Sequence, residues 1–321
     1  MTTSYDPGPK QSGEFRITHL SDPHIGTAQS AFRQRLRSLI GKSHSRNLSN
    51  FQAVLRDMAN MEIDHVVITG DLTNAAKPEE FKTVKAILAD FVQPDRLTVV
   101  PGNHDISYRR VKRAYRTKGC PRKLWQFVHH FWEVFPSRYP PEFGLAAKEQ
   151  FPFVKVLAGG EVVLIGLDTT GNLPTKIGLL NSFGWVGRAQ MNELRALLKS
   201  PRMRDKIKIV AMHHHPMIVP VATMFDSFKY MFQSKELLDL LYESGVDLIL
   251  HGHKHHPFCW QSRTFRDHDL TVICAGPPNA YDSAKSALLV YNIYSIEDRR
   301  ITVHYRSFSP PLRPRTEFAR K

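Results

Sequence analysis

Five times along this chain a short apolar run stops at a group of oxygen and nitrogen donors. In order the groups are Ser21-Asp22-Pro23-His24, Gly70-Asp71-Leu72-Thr73-Asn74, Gly102-Asn103-His104-Asp105, His213-His214-His215-Pro216 and Gly252-His253-Lys254-His255. The runs before them (16–20, 65–69, 97–100, 207–212 and 246–250) read as buried strands ending in loops. A single strand-end histidine or aspartate is ordinarily a cap or a hydrogen-bonded polar residue. Five such groups, each directly after an apolar strand, need another explanation. Carboxylates gathered at one sheet edge repel one another unless cations hold them. The pattern is that of a metal centre.

The segments between the strands support a layered α/β domain. Phe51, Val54, Leu55 and Met58 recur at helical spacing after Ser49 or Asn50, a suitable N-cap. Residues 79–92 predict a second helix, so strand and helix alternate as right-handed crossovers. Further on, 153–157 and 161–168 flank Ala158-Gly159-Gly160 as a hairpin. Met191, Leu194, Leu197 and Leu198 line another helix. A last one carries Leu237, Leu238 and Leu241 and closes at Gly245. Residues 271–275, 287–295 and 300–305 are closing strands. The expected organisation is a polar N-terminal extension (1–14), a single domain (15–308) and a mobile basic tail (309–321). The aromatic stretches near 105–150 and 217–232 are longer than ordinary connections and suggest cap-like insertions.

Charge is distributed unevenly. Of the net +14, residues 25–56 carry +6 and residues 105–123 carry +7. A solubility charge would be dispersed, so two blocks directly after donor groups suggest a positive rim for an anionic partner. Arg109, Arg110 and Arg113 are the substrate-binding candidates in the second block. Hydrophobic residues at 42% and charged residues at 23% exclude a mostly disordered chain and a membrane bundle. Three scattered cysteines (Cys120, Cys259, Cys274) make no disulfide framework, and the polar stretch 1–14 is not expected to act as a secretory signal. The expected setting is cytoplasmic, with peripheral membrane association an open alternative.

The order D-x-H, G-D, G-N-H-D, H-x-P and G-H-x-H resembles the calcineurin-like metallophosphoesterases over residues 16 to about 256. The resemblance implies a four-layer α-β-β-α sandwich of two mixed β-sheets flanked by helices. It also implies two metal ions: one held by Asp22, His24 and His255, the other by Asn103, His214 and His253, with Asp71 bridging them. H-x-P spacing selects His214 from the triple histidine; His213 is the alternative under a one-residue shift of register. Oxygen and imidazole donors without thiolates suit Mn, Fe or Zn rather than Ca. In that family a hydroxide shared by the two metals attacks phosphorus in line. His104 would then protonate or hydrogen-bond the leaving oxygen, with Asp105 orienting its ring. His251 and His256 read as neighbours of the ligands, His19 as a hydrogen-bonded core residue, and His129 and His130 as parts of a helix face.

Departures from known branches narrow the expectation. Leu72-Thr73-Asn74 replaces the V-D-R-G type segment of Ser/Thr protein phosphatases. Asn74 stands where purple acid phosphatases carry a ligand tyrosine. The motifs look most like the bacterial phosphodiesterases, including cyclic-nucleotide and glycerophosphodiester hydrolases. The implied activity is hydrolysis of a phosphodiester or pyrophosphate. Nucleic acid and a UDP-linked lipid at a membrane surface are alternative substrates, and a non-catalytic protein-binding scaffold is the alternative of another class.

Overall fold

The computed structural model describes residues 2–4, 7–26, 44–105, 151–170, 183–217, 231–261, 269–278, 281–283 and 286–309. In chain order the elements begin with β1 (Thr2–Ser4), β2 (Phe15–Leu20), α1 (His44–Ala59), β3 (His65–Ile68), α2 (Pro78–Ala89) and β4 (Leu97–Val99). Next come β5 (Phe153–Leu157), β6 (Val162–Gly166), α3 (Arg188–Leu198), β7 (Ile207–Ala211) and α4 (Ser234–Glu243). The last are β8 (Leu248–His251), β9 (Phe258–Gln261), β10 (Thr271–Cys274), β11 (Tyr281–Ser283), β12 (Ser286–Glu297) and β13 (Arg300–Phe308).

Two mixed sheets form. The first runs β1-β13-β12-β2-β3-β4, with β11 paired to β12; the second runs β5-β6-β7-β8-β10-β9. Strands β2, β3 and β4 are mutually parallel, as are β6, β7, β8 and β10. Parallel neighbours end on a common edge, the place where open α/β sheets bind ligands. All five donor groups follow such strands: β2, β3, β4, β7 and β8.

Side-chain alternation sets the layers. Along β6, Val162 and Leu164 join the core shared with the first sheet. Val163 and Ile165 face a second cluster containing Met191, Leu194, Leu237 and Leu241 of α3 and α4. Leu248 and Leu250 divide from Ile249 in the same way. Phe51, Val54 and Leu55 of α1 and Phe81 and Val84 of α2 belong to the first cluster. The result is the expected α-β-β-α sandwich. Each large aliphatic chain buried in it contributes roughly 1.5–3 kcal/mol against exposure.

One reading changes, and two strands are added. Helix α1 starts at His44, so Ser49 and Asn50 lie inside it rather than capping it. No Pro or Gly interrupts 44–50, and Leu48 extends the buried stripe one turn upstream of Phe51. Within the expected N-terminal extension, Thr2–Ser4 adds a parallel strand beside β13. Lys10 further ties it to Asp64 through a 2.6 Å ion pair. The short strand β9, which the sequence reading did not name, pairs antiparallel with β10. Arg109, Arg110, Arg113, His129, His130, the insertion near 105–150, most of that near 217–232 and nearly all of the tail lie outside the described residues. Among those described, no helix is long and apolar enough to cross a membrane.

Candidate metal centre

The donors form two adjoining groups. Asp22, His24, Asp71 and His255 place one ligand atom each within 4.8 Å of one another, and so do His213, His214 and His253. In the first group the Nε2 atoms of His24 and His255 lie 2.9 Å apart. Asp22 Oδ1 lies 3.2 Å from His255 Nε2 and 3.8 Å from His24 Nε2. In the second, Asn103 Oδ1 sits 3.0 Å from His253 Nδ1 and 3.1 Å from His213 Nε2. One oxygen spans both: Asp71 Oδ2 is 3.6 Å from His24 Nε2 and 3.5 Å from His213 Nε2.

Backbone groups aim these donors. The amide of His253 donates to Asp22 Oδ2 at 2.9 Å, and that of His104 to Asp71 Oδ1 at 2.7 Å. Each carboxylate is thereby held by one oxygen and turns the other inward. The loops approach closely enough that a Cβ on Gly102 would collide with Asp71, and one on Gly252 with Ser21 and Asp22. Five donors hold left-handed backbone: Asp22 (φ 56°), His24 (46°), Asp71 (52°), His253 (73°) and His255 (52°). Non-glycine residues avoid this region at a cost of roughly 1 kcal/mol or more each, a strain that clusters at functional sites.

Two members of the triple histidine, His213 and His214, belong to the second donor group. His213 Nδ1 donates to the Thr69 carbonyl at 2.7 Å, which leaves Nε2 with its lone pair facing Asn103, Asp71 and His253. His214 also belongs to the second group, and its Nδ1 meets the Thr169 hydroxyl at 2.9 Å. H-x-P spacing thus selects a member of the cage, while the residue before it makes the contacts to Asn103 and Asp71. His215 is buried with both ring nitrogens unbonded among the described residues, and its ring stacks on His253 at 5.6 Å.

Asp105 requires a correction. Its buried carboxylate does not hydrogen-bond the His104 ring; it accepts from the amides of Leu72 (3.2 Å), Thr73 (2.8 Å) and Gly102 (3.0 Å) and from the Thr73 hydroxyl (3.0 Å). Three unpaired loop amides are a stronger attraction than one exposed imidazole, so the side chain turns inward. His104 Nδ1 instead donates to the Asn74 carbonyl at 3.1 Å. Its exposed ring stands edge-on to His24, with centroids 4.7 Å apart. Thr69, Thr73, Asn74 and Thr169 were invisible as partners because their roles are set across strands. His19 is a core residue as expected, bonded to Tyr294 and Thr69.

The electrostatics suit cations. Burial pushes the Asp22 carboxyl up, but His255 and then His213 outweigh it and hold it at about 2. Asp71, also buried, is held well below the carboxylate range, chiefly by His213. Burial lowers His24 to about 4 against the pull of Asp71, and it holds His253 well below the imidazole range. Two imidazoles go the other way: burial opposes the proton on each, yet Asp71 raises His213 to about 9 and Asp22 raises His255. A proton and a cation compete there for one lone pair. Two carboxylates, a carboxamide oxygen and imidazoles make a borderline-hard set without thiolate, which fits a divalent transition metal.

A family model for calcineurin-like phosphoesterase matches residues 15–257. The chain is 23% identical over 255 residues to a probable cyclic nucleotide phosphodiesterase of Pseudoalteromonas sp. (strain SM9913), covering 79% of this chain and 76% of that protein. Among solved structures it resembles a dimetal phosphatase from Danio rerio, with TM-score 0.57 and 13% identity over 92% of this chain and 99% of that one. It also resembles a purple acid phosphatase from yellow lupin (Lupinus luteus) seeds, with TM-score 0.60 and 14% identity, covering 94% of this chain and 52% of that one. The chain belongs to the calcineurin-like phosphoesterase family and is a metal-dependent phosphoric ester hydrolase; the family implies a dinuclear divalent-metal centre, for which the two donor groups are the candidate ligands.

Proposed function

We propose that this calcineurin-like phosphoesterase hydrolyses phosphodiesters, with Asp22, His24 and His255 holding one metal, Asn103, His253 and the His213–His214 pair the other, and Asp71 shared. The observation that carries the reading is the position of Asp71 Oδ2, nearly equidistant from an imidazole of each group. When bound, the metal pair supplies a water of lowered pKa and a Lewis-acid grip on the phosphoryl oxygens. The protein's own part is positioning. Backbone amides of His104 and His253 fix the two carboxylates, and the Thr69 carbonyl fixes the His213 tautomer.

His104 is the group for the leaving oxygen. Its Nδ1–H is committed to Asn74, so Nε2 is the nitrogen that exchanges a proton with solvent or substrate. As an imidazolium it protonates the departing alkoxide, and as a neutral ring it takes the proton back from water. The preference for diesters over monoesters rests on the resemblance to bacterial phosphodiesterases and on the Pseudoalteromonas relative. Arg109, Arg110 and Arg113 are proposed to draw in anionic substrates from the rim.

The test is elemental analysis of the purified protein followed by turnover on a panel. The panel comprises bis(p-nitrophenyl) phosphate, cyclic nucleotides, glycerophosphodiesters, UDP-linked lipids, single-stranded DNA and p-nitrophenyl phosphate. Two metals per chain and faster cleavage of a diester than of the monoester are expected. Monoester cleavage exceeding every diester would overturn the diester assignment, and loss of all activity together with loss of metal binding would overturn the whole reading.

A further inference from the structure

Among the described residues two large apolar side chains remain exposed, Val156 at 39% and Phe232 at 43%. Val156 lies on the edge strand β5. Phe232 lies at the histidine loop of the metal centre. Its amide donates to the Gly184 carbonyl at 3.0 Å, and the amide of the preceding Met231 donates to the His215 carbonyl at 3.2 Å. Gly184 abuts the His214 ring so closely that a Cβ there would collide with it, and its backbone is left-handed at φ 68°. Phe183, the residue before it, stacks on Phe232 with centroids 5.6 Å apart and planes 24° from parallel. The pair is therefore pinned by backbone bonds to the same loop that carries His213 and His214. The Phe232 ring is thus one of only two large apolar side chains left in water among the described residues, and it sits on backbone tied to the donor loop.

We propose that Phe183 and Phe232 form a stacking platform for a planar aromatic group carried by the phosphate ester held at the metals. The inference rests on the phosphoesterase reading and adds a substrate feature to it. A stacked pair presents a flat apolar surface already ordered by its own packing, so little side-chain freedom is lost when a third ring joins it. Every nucleobase and every aryl ester offers such a ring, and stacking on a protein aromatic changes affinity by about 5- to 150-fold when the aromatic is removed.

Calorimetry on the full, metal-loaded chain tests this with AMP, phenyl phosphate and ribose 5-phosphate as probes. All three carry a phosphate for the metals, and only the first two carry a planar aromatic ring. The platform predicts that AMP binds at least about tenfold tighter than ribose 5-phosphate, and that this ratio falls by about tenfold in Phe232→Ala. Phe232→Trp and Val156→Ala should keep the ratio. A gain for phenyl phosphate equal to that for AMP marks a general aryl site, and a gain for AMP alone marks a nucleobase site; either supports the platform. If AMP binds no tighter than ribose 5-phosphate, or if the ratio survives Phe232→Ala, the platform is wrong. Diester turnover is measured in parallel. An intact, Phe232-dependent AMP preference without cleavage of any diester would refute the diesterase reading and leave the platform standing.

Discussion

The Nε2 atoms of His24 and His255 approach to 2.9 Å, each also facing Asp22 or Asp71. Two imidazole nitrogens at that distance share either a proton or a cation, since two bare lone pairs would repel. Adding the divalent metal should therefore stabilise the fold by mass action, by about 4 kcal/mol at a concentration a thousandfold above Kd. Thermal unfolding followed across a manganese or zinc titration, against a chelator-treated reference, measures it. A melting temperature insensitive to metal would contradict the shared-cation account.

His104→Ala should slow turnover by roughly 10²–10⁴-fold, the usual contribution of a general acid, while sparing metal content. The loss should be greatest for an alkyl leaving group and least for p-nitrophenolate, which departs without a proton. Steady-state rates on a glycerophosphodiester and on bis(p-nitrophenyl) phosphate make the comparison, with elemental analysis as the control.

Asp105→Asn places an amide NH₂ where a carboxylate accepted four hydrogen bonds from the Asp71 and Asn103 loops. Donors then face donors, and each unsatisfied buried group costs about 1–3 kcal/mol. Metal affinity should fall by roughly 10–100-fold, as for other residues that orient ligands. Competition against a fluorescent chelator reads the affinity, and urea unfolding reads the stability.

Glu14→Gln probes the sheet edge away from the metals. Burial raises the Glu14 carboxyl, but the hydrogen bonds from Arg16 outweigh it and bring it from 4.5 down to about 2. A depressed acid stabilises the fold above its unfolded pKa and loses that stabilisation as pH falls from about 4.5 towards 2. The variant should therefore be less stable than the parent at pH 7, and the gap should narrow steadily below pH 4.5. Urea midpoints at pH 7, 4 and 3 decide it; a gap that widens in acid would reverse the sign.

Much of the centre was legible in one dimension because parallel strands impose a direction. Asp22, Asp71, Asn103 and His253 each follow an apolar run, and runs that pair in parallel must deliver their following residues to one edge. The layer assignment was legible for the same kind of reason: the alternation of Val162 to Ile165 is the geometry of a pleated strand. The start of α1 was not, because Ser49 is a good cap only if the chain cannot continue the helix upstream, and residues 44–48 can.

By itself the sequence determined which residue types gather and on which strands they ride, since hydrophobic periodicity and strand ends are local properties. Tertiary structure alone decided where each side chain then points. His213 turns Nε2 towards Asn103 because a carbonyl on β3's following loop captures its other nitrogen. Asp105 turns away from His104 because three amides from two loops need an acceptor. These choices depend on hydrogen-bond partners some 30 to 140 residues away in the chain and on left-handed backbone at Asp22, Asp71 and His253. Local pattern carries no information about either, because both are set only when the two sheets close against each other.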